Sequence, residues 1–236
     1  MKFRIDLKIF ILVILFFITN QIKIYAMIMV FAIIHEFGHL FAGILLGMKP
    51  SKIEIKPFGV SMDFDITRKD YHIKIGKGNL LEIKKIFVAL AGPITNVFIM
   101  IILMLYPIFN FKESDKMIMI FSNITLIIFN ILPMYPLDGG RILKSMIYII
   151  KGKHIAEKYI YIISYTTLII ITIISSIAIL YLKNIAIFLA VIFLWGLHMK
   201  EHIIYKNRKV LYETIQREMD KYGDKKIDSP IENKIN

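Results

Sequence analysis

The sequence predicts an all-α polytopic membrane protein of about six transmembrane helices, with a small β-hairpin inserted on the cytoplasmic side. Three observations carry this reading. Hydrophobic residues make up 57% of the chain, the mean hydropathy is +0.64, and the 20% that are charged cluster between long apolar runs. Between Met48 and Leu81 the continuous apolar pattern gives way to period-two alternation. With the N-terminus inside, all of the 30 Lys and Arg except Lys23, Lys112, Lys116 and Lys183 fall in segments on one side, which places both termini in the cytoplasm. The net charge of +12 then records cytoplasmic loops facing anionic lipid and does not call for a nucleic-acid partner. There is no cysteine, so disulfides and thiolate metal sites are excluded. Any metal must be held by His and carboxylate, which suits zinc with an open catalytic position.

Taken in order, Lys2, Arg4 and Lys8 precede the apolar run Ile9 to Thr19. A basic start and apolar centre resemble a signal peptide, but no A-x-A site follows, so the run reads as a retained first transmembrane helix. Asn20-Gln21 makes the turn into a second span, Ile24 to Gly47. That span contains His35-Glu36-Phe37-Gly38-His39, an H-E-x-x-H sequence. On a helix the two histidines are one turn apart, so both imidazoles leave the same face and can share a cation. Glu36 beside them is placed to act on a water and not to bind the metal itself. Ionisable groups in a hydrocarbon-length helix cost roughly 2.5–3.5 kcal/mol each when charged, so such residues rarely persist there without a function.

Lys52 to Lys56 and Val60 to Asp65 alternate polar and apolar residues around Pro57-Phe58-Gly59, the pattern of a β-hairpin. A third short strand is expected at Tyr71-His72-Ile73-Lys74-Ile75. A sheet edge here offers an extended substrate a place to pair. The third span, Ile86 to Tyr106, contains Ala91-Gly92-Pro93-Ile94-Thr95-Asn96, where small residues allow close helix packing and Asn96 can hydrogen-bond across helices.

The fourth span, Met117 to Leu132, ends in Asn130-Ile131-Leu132-Pro133-Met134-Tyr135-Pro136-Leu137-Asp138-Gly139-Gly140-Arg141. Two prolines and two glycines break the helix at membrane depth, which lipid tolerates only where the irregular backbone is buried in protein or lines a cavity. Asp138 is thus a carboxylate presented from broken backbone, and the His35/His39 pair lacks a third ligand. Leu143 to Ile150 reads as a half-length helix and Tyr159 to Leu182 as a fifth, scaffold span. A sixth begins at Ile185. Residues 1–205 form the membrane core, and 206–236 a charged tail expected to be disordered. A competing pair, His198 and His202, sits in an inverted H-x-x-E-H sequence, but beside Lys200, Lys206, Arg208 and Lys209, whose positive field opposes a divalent cation. His72 and His154 read as solvated.

H-E-F-G-H at 35–39, A-G-P-I-T-N at 91–96 and N-I-L-P-M-Y-P-L-D-G-G at 130–140 together resemble the site-2 protease family of intramembrane zinc metalloproteases. Their order and the compact layout look closest to the stage IV sporulation protein FB branch. The resemblance implies that His35, His39 and Asp138 bind Zn2+ and that Glu36 is the catalytic base. It implies too that Asn130, Pro133 and Gly139, matching N-x-x-P-x-x-x-x-D-G, shape the site and position substrate. The implied substrate is a membrane-associated protein, a sporulation pro-sigma factor in that branch, with inhibitory membrane proteins as further partners and the membrane around the forespore as location. No nucleotide-sensing CBS domain is expected after the last span, which departs from many members of the branch. Three other readings remain: release of a trimmed anti-sigma factor, a divalent-metal transporter built on the same buried ligands, and an inactive relative that only holds client proteins.

Overall fold

The computed structural model describes residues 2–5, 8–18, 20–56, 59–65, 68–105, 112–182 and 185–222. In chain order the elements are β1 (Lys2–Ile5), α1 (Lys8–Ile18), α2 (Ile22–Leu45), β2 (Lys49–Lys56), β3 (Gly59–Asp65), α3 (Arg68–His72), β4 (Lys74–Ile75) and β5 (Gly78–Asn79). They continue with α4 (Leu80–Leu105), α5 (Glu113–Ile131), α6 (Asp138–Lys151), α7 (Lys153–Leu182) and α8 (Ile185–Tyr222). The fold is mostly helical, and among the described residues α2, α4, α5 and α7 are long and apolar enough to cross a membrane.

Side chains are distributed as lipid solvation requires. Phe37, Phe41, Phe87, Ile94, Phe98 and Phe121 are exposed, whereas His35, His39, Asn96, Asn123 and Asp138 are buried. Large apolar groups gain nothing by turning inward when the surrounding medium is itself hydrocarbon, so small and polar groups occupy the helix interfaces. Phe31 and Ala32 of α2 pack on Met119 and Leu126 of α5, with Ile99 and Leu103 of α4 against them. A second cluster joins Met134 of the broken segment to Leu168 of α7 and Leu194 of α8. Three further polar contacts fix helix ends: Lys23 pairs with Asp115 where α2 and α5 begin, Ser145 hydrogen-bonds Glu82 at 2.7 Å and ties α6 to α4, and Lys85 hydrogen-bonds Glu82 at 2.7 Å within α4.

The β-hairpin forms where the alternation places it. β2 pairs antiparallel with β3 in the register Ile53↔Met62 and Ile55↔Val60, with an irregularity at Pro50/Lys52, where the imino acid cannot sustain the ladder. Pro57 and Phe58 of the turn lie outside the described residues. Three parts of the chain alter or add to these expectations. The third strand is not one: Arg68–His72 is a helical turn held by Lys84 Nζ on Asp70 at 2.8 Å. Only Lys74–Ile75 is extended, pairing with Gly78–Asn79 through a turn at Gly76 (φ +59). The basic start of the chain is strand β1, parallel to β2 with Phe3 opposite Ile53, and α1 has only 11 residues, roughly 16 Å of a 30 Å hydrocarbon core. Finally, α8 runs on to Tyr222, so the charged stretch from 206 is helical that far, as its Lys, Arg and Glu content allows; residues 223–236 lie outside the described residues.

Asn20 takes φ +57 in the α1–α2 turn, a left-handed conformation that Asn tolerates, and the amides of Asn20 and Gln21 close it on Phe17 O and Phe16 O.

Candidate metal centre and active site

α2 brings His35 and His39 to one face, T-shaped with ring centroids 4.7 Å apart. The third donor comes from the broken segment after α5. There the chain leaves the helix at Leu132 and turns through amide bonds from Met134 to Leu132 O and from Leu137 to Met134 O, while Ser164 Oγ accepts from Tyr135 N at 2.9 Å. α6 then starts at Asp138 itself, whose charge is favourable at a helix N-terminus. The two glycines make the break possible: a Cβ on Gly139 would lie 2.0 Å from Ile131 O, and one on Gly140 2.4 Å from the Met134 carbonyl carbon. Gly139 therefore serves the path of the backbone first.

The outcome is a tight triangle of donors. Asp138 Oδ2 lies 3.0 Å from His35 Nε2 and 3.1 Å from His39 Nε2, and the two Nε2 atoms are 3.1 Å apart. All three residues are at least 96% buried. A tetrahedral zinc with bonds of about 2.0–2.2 Å separates its donors by roughly 3.3–3.6 Å, so the triangle needs to open by only a few tenths of an ångström. His39 Nδ1 donates to Val88 O at 2.7 Å, which assigns the proton to Nδ1 and leaves the Nε2 lone pair facing the centre. Space is reserved on the opposite side by Gly92 of α4: a Cβ there would stand 2.4 Å from His39 Cε1 and 2.5 Å from both Nε2 atoms. Two imidazoles, one carboxylate, a fixed tautomer and a side-chain-free floor fit Zn2+. His35, His39 and Asp138 are also the one group of His and carboxylate side chains among the described residues close enough to share an ion.

Glu36 does not join this triangle. Together with His39 it lines a cavity of about 580 Å³ that extends past Phe64 of β3, Val88 of α4 and Arg141 of α6. Phe64 seats against Gly43 of α2, where a Cβ would be 2.3 Å from its ring, so the hairpin sits one helical turn beyond His39. A carboxylate on the cavity wall with the donor triangle behind it is an arrangement that allows attack on a substrate carbonyl.

The remaining expected residues fall differently. Asn130 donates to Leu126 O within its own helix at 3.0 Å. Pro133 stands at the helix break. Asn96 is fully buried with neither side-chain atom hydrogen-bonded among the described residues, so the expected interhelical bond is not made. His198 is buried between the rings of Tyr161 and Tyr165, each 5.5 Å away, and His202 Nδ1 bonds Tyr161 Oη at 2.8 Å. Those two histidines are aromatic packing between α7 and α8, not a metal pair. Gly92 and the Val88 carbonyl are the functional positions that sequence reasoning missed. The first reads in sequence as helix packing; the second is backbone and leaves no side-chain signal.

Residues 112–174 match peptidase family M50, a stretch that holds Asn130, Pro133, Asp138 and Gly139. The chain is 27% identical over 128 residues to a zinc metalloprotease of Methanocaldococcus jannaschii, covering 52% of this chain and 34% of the relative. It is 23% identical over 127 residues to stage IV sporulation protein FB of Bacillus subtilis, covering 53% of this chain and 41% of that one. The chain thus spans well under half the length of these two relatives. The solved structure of a site-2 protease from Methanocaldococcus jannaschii shares the fold, with a TM-score of 0.61 and 23% identity over 82% of this chain and 85% of that one. In its paired motifs, its donor triangle and its fold, the chain resembles the M50-type site-2 proteases, the intramembrane zinc metalloproteases.

Proposed function

We propose that the protein is an intramembrane zinc metalloendopeptidase that hydrolyses a peptide bond in or near a membrane-associated segment, and that it processes a membrane-tethered sporulation pro-sigma factor. The observation that carries the hydrolytic reading is the division of labour around α2, with three buried donors turned to one point and Glu36 beside them on the cavity wall. Zinc, when bound, supplies a Lewis acid that lowers the pKa of a water to about 7 and polarises a carbonyl. The Glu36 carboxylate takes the proton from the attacking water and returns it to the leaving amide nitrogen. His39, locked by Val88, keeps its Nε2 unprotonated through the reaction. Asn130 is assigned to the developing oxyanion, which requires its amide to exchange Leu126 O for substrate.

A helical substrate has its carbonyls tied in i to i−4 bonds and must unwind before attack. β3 is an edge strand of the sheet β1-β2-β3 and stands next to the cavity through Phe64, so an unwound segment is expected to pair with its open side. With α1 entering the bilayer part-way and the apolar part of α8 crossing it, the reading counts about six helices in the membrane core, with both termini and the cavity mouth on the Lys/Arg-rich cytoplasmic side. The sporulation assignment rests on the similarity to stage IV sporulation protein FB.

Co-expression of the chain with its host's full-length pro-sigma factor and no other protease tests this. A shortened product that disappears with Glu36→Gln is expected. Cleavage confined to a transmembrane substrate already trimmed outside the membrane would replace the pro-sigma factor by an anti-sigma factor and leave the intramembrane protease standing.

A further inference from the structure

The cavity beside Glu36 and His39 has an imbalance of charge that peptide hydrolysis does not use. Both oxygens of Glu82 are matched within the protein, by Lys85 and Ser145, and one oxygen of Glu157 is matched by Arg208 Nη1 at 3.1 Å, its Oε2 having no hydrogen-bond partner among the described residues. The third, Glu36, is the proposed base. Among the cations of the same wall, Arg141 Nη1 is 3.9 Å from Asp138 Oδ1, the carboxylate oxygen turned away from the histidines. Lys144 has no carboxylate within ion-pair distance among the described residues. Its Nζ lies 4.4 Å above the ring of Tyr135, the residue three before Asp138. Burial, and then Arg208, depress its pKa below the usual lysine value, while Glu157 and Glu201, which line a small pocket with Lys144 and Arg208, act in the opposite direction. A half-buried cation resting on an aromatic face gains most when an anion arrives from the open side.

We propose that Lys144 forms a subsite for an acidic side chain of the substrate, an Asp or Glu that flanks the scissile bond. Distance sets the register. Lys144 lies six residues beyond Asp138 on α6, about 9 Å along the axis, and an extended peptide advances about 3.3 Å per residue. The acidic residue therefore stands two or three positions from the bond that is cut. Arg141, between Lys144 and the metal ligands, extends the same positive wall toward the reacting carbonyl. The subsite deepens the peptidase reading and rests on it. A lipid phosphate is the other anion a membrane offers, but the cavity shared with Glu36 and His39 favours the peptide.

The test uses the full chain in phosphatidylcholine nanodiscs. The probes are fluorescent synthetic peptides with an apolar transmembrane segment, each carrying one Asp, Asn or Lys scanned through the cytoplasmic flank. Dissociation constants are measured in a Glu36→Gln background and cleavage in the native chain. At one position Asp should bind about tenfold more tightly than Asn, and Lys more weakly than either. Lys144→Gln should remove that ranking, Lys144→Arg keep it, and Lys144→Glu reverse it in favour of Lys, a reversal that misfolding cannot produce. A native chain that ranks the peptides alike at every position overturns the proposal, as does a ranking unchanged in Lys144→Gln. A Lys144-dependent response to added phosphatidylglycerol with no ranking of peptides assigns the cation to lipid and overturns it too. Ranked binding without Glu36-dependent cleavage retains the subsite and removes the peptidase; cleavage without ranking does the opposite.

Discussion

Replacing Gly92 by alanine adds one methyl group to α4, and helix propensity alone favours the change by about 1 kcal/mol. The site predicts the opposite outcome. The new Cβ would stand 2.4 Å from His39 Cε1 and 2.5 Å from Nε2 of His35 and of His39, where ordinary contact begins at 3.4 Å, so the rings must retreat by about 1 Å. His39 cannot move that far and keep its 2.7 Å bond to Val88 O, and His35 is packed edge-on against it. Loss of one outer hydrogen bond to a metal ligand costs about 10–100-fold in affinity; displacing two ligands together should cost at least the upper figure, or about 2.7 kcal/mol. Titration of the purified chain with zinc against a chromophoric chelator measures this directly. Thermal unfolding with and without EDTA then separates metal from packing, because the variant should lose the zinc-dependent rise in Tm while the two chelated proteins differ by little more than the lost His39–Val88 hydrogen bond. Zinc affinity within threefold of the native chain would refute the reasoning. A large drop in the Tm of the chelated variant would show instead that the methyl group acts on the α2–α4 interface.

Glu36→Gln should retain stoichiometric zinc while proteolysis falls by about 10²–10⁴-fold, since it removes a proton acceptor and no ligand; near-normal cleavage would sink the mechanism. Asp138→Asn should weaken zinc retention, whereas His198→Ala and His202→Ala should leave the metal content unchanged, and the reverse pattern would mean that the second histidine pair is the metal site. Asn96→Leu removes a buried amide with no hydrogen bond among the described residues and should stabilise the fold by about 1–2 kcal/mol in reversible unfolding, with a loss of stability showing that the amide has a partner after all.

Much of the site was legible because the chemistry is carried by side chains whose spacing is fixed by local structure. His35 and His39 are four apart on an uninterrupted apolar helix, so their common face follows from helix geometry. Asp138 follows from the prolines and glycines around it, which leave no regular structure for the backbone to adopt. The hairpin was legible for the same kind of reason, two alternating runs around a Pro/Gly break. The register between α2 and α4, which brings Gly92 under the imidazoles and the Val88 carbonyl to His39, depends on how two distant helices pack. Periodicity within either helix says nothing of it.

The opposite failures at the two ends of the chain have a common cause. Hydropathy reports whether a segment prefers lipid, not what its backbone pairs with. Lys2–Ile5 alternates polar and apolar over too few residues to stand out as a strand, yet β2 offers it a ladder of backbone partners from Lys52 to Ile55. Pairing there gives the basic start a strand of its own, while α1, Lys8–Ile18, keeps the length of the apolar run Ile9 to Thr19. At the other end, helix propensity carries α8 through the charged residues after His202 without any need for lipid, and Arg208 meets Glu157 at the cavity wall. The C-terminal extension reaches the cavity, whose wall includes Arg208. The charge clusters that read in sequence as topology signals are therefore also the material of the cavity wall. A cation such as Lys144 answers to both demands, and only its place in the fold separates them.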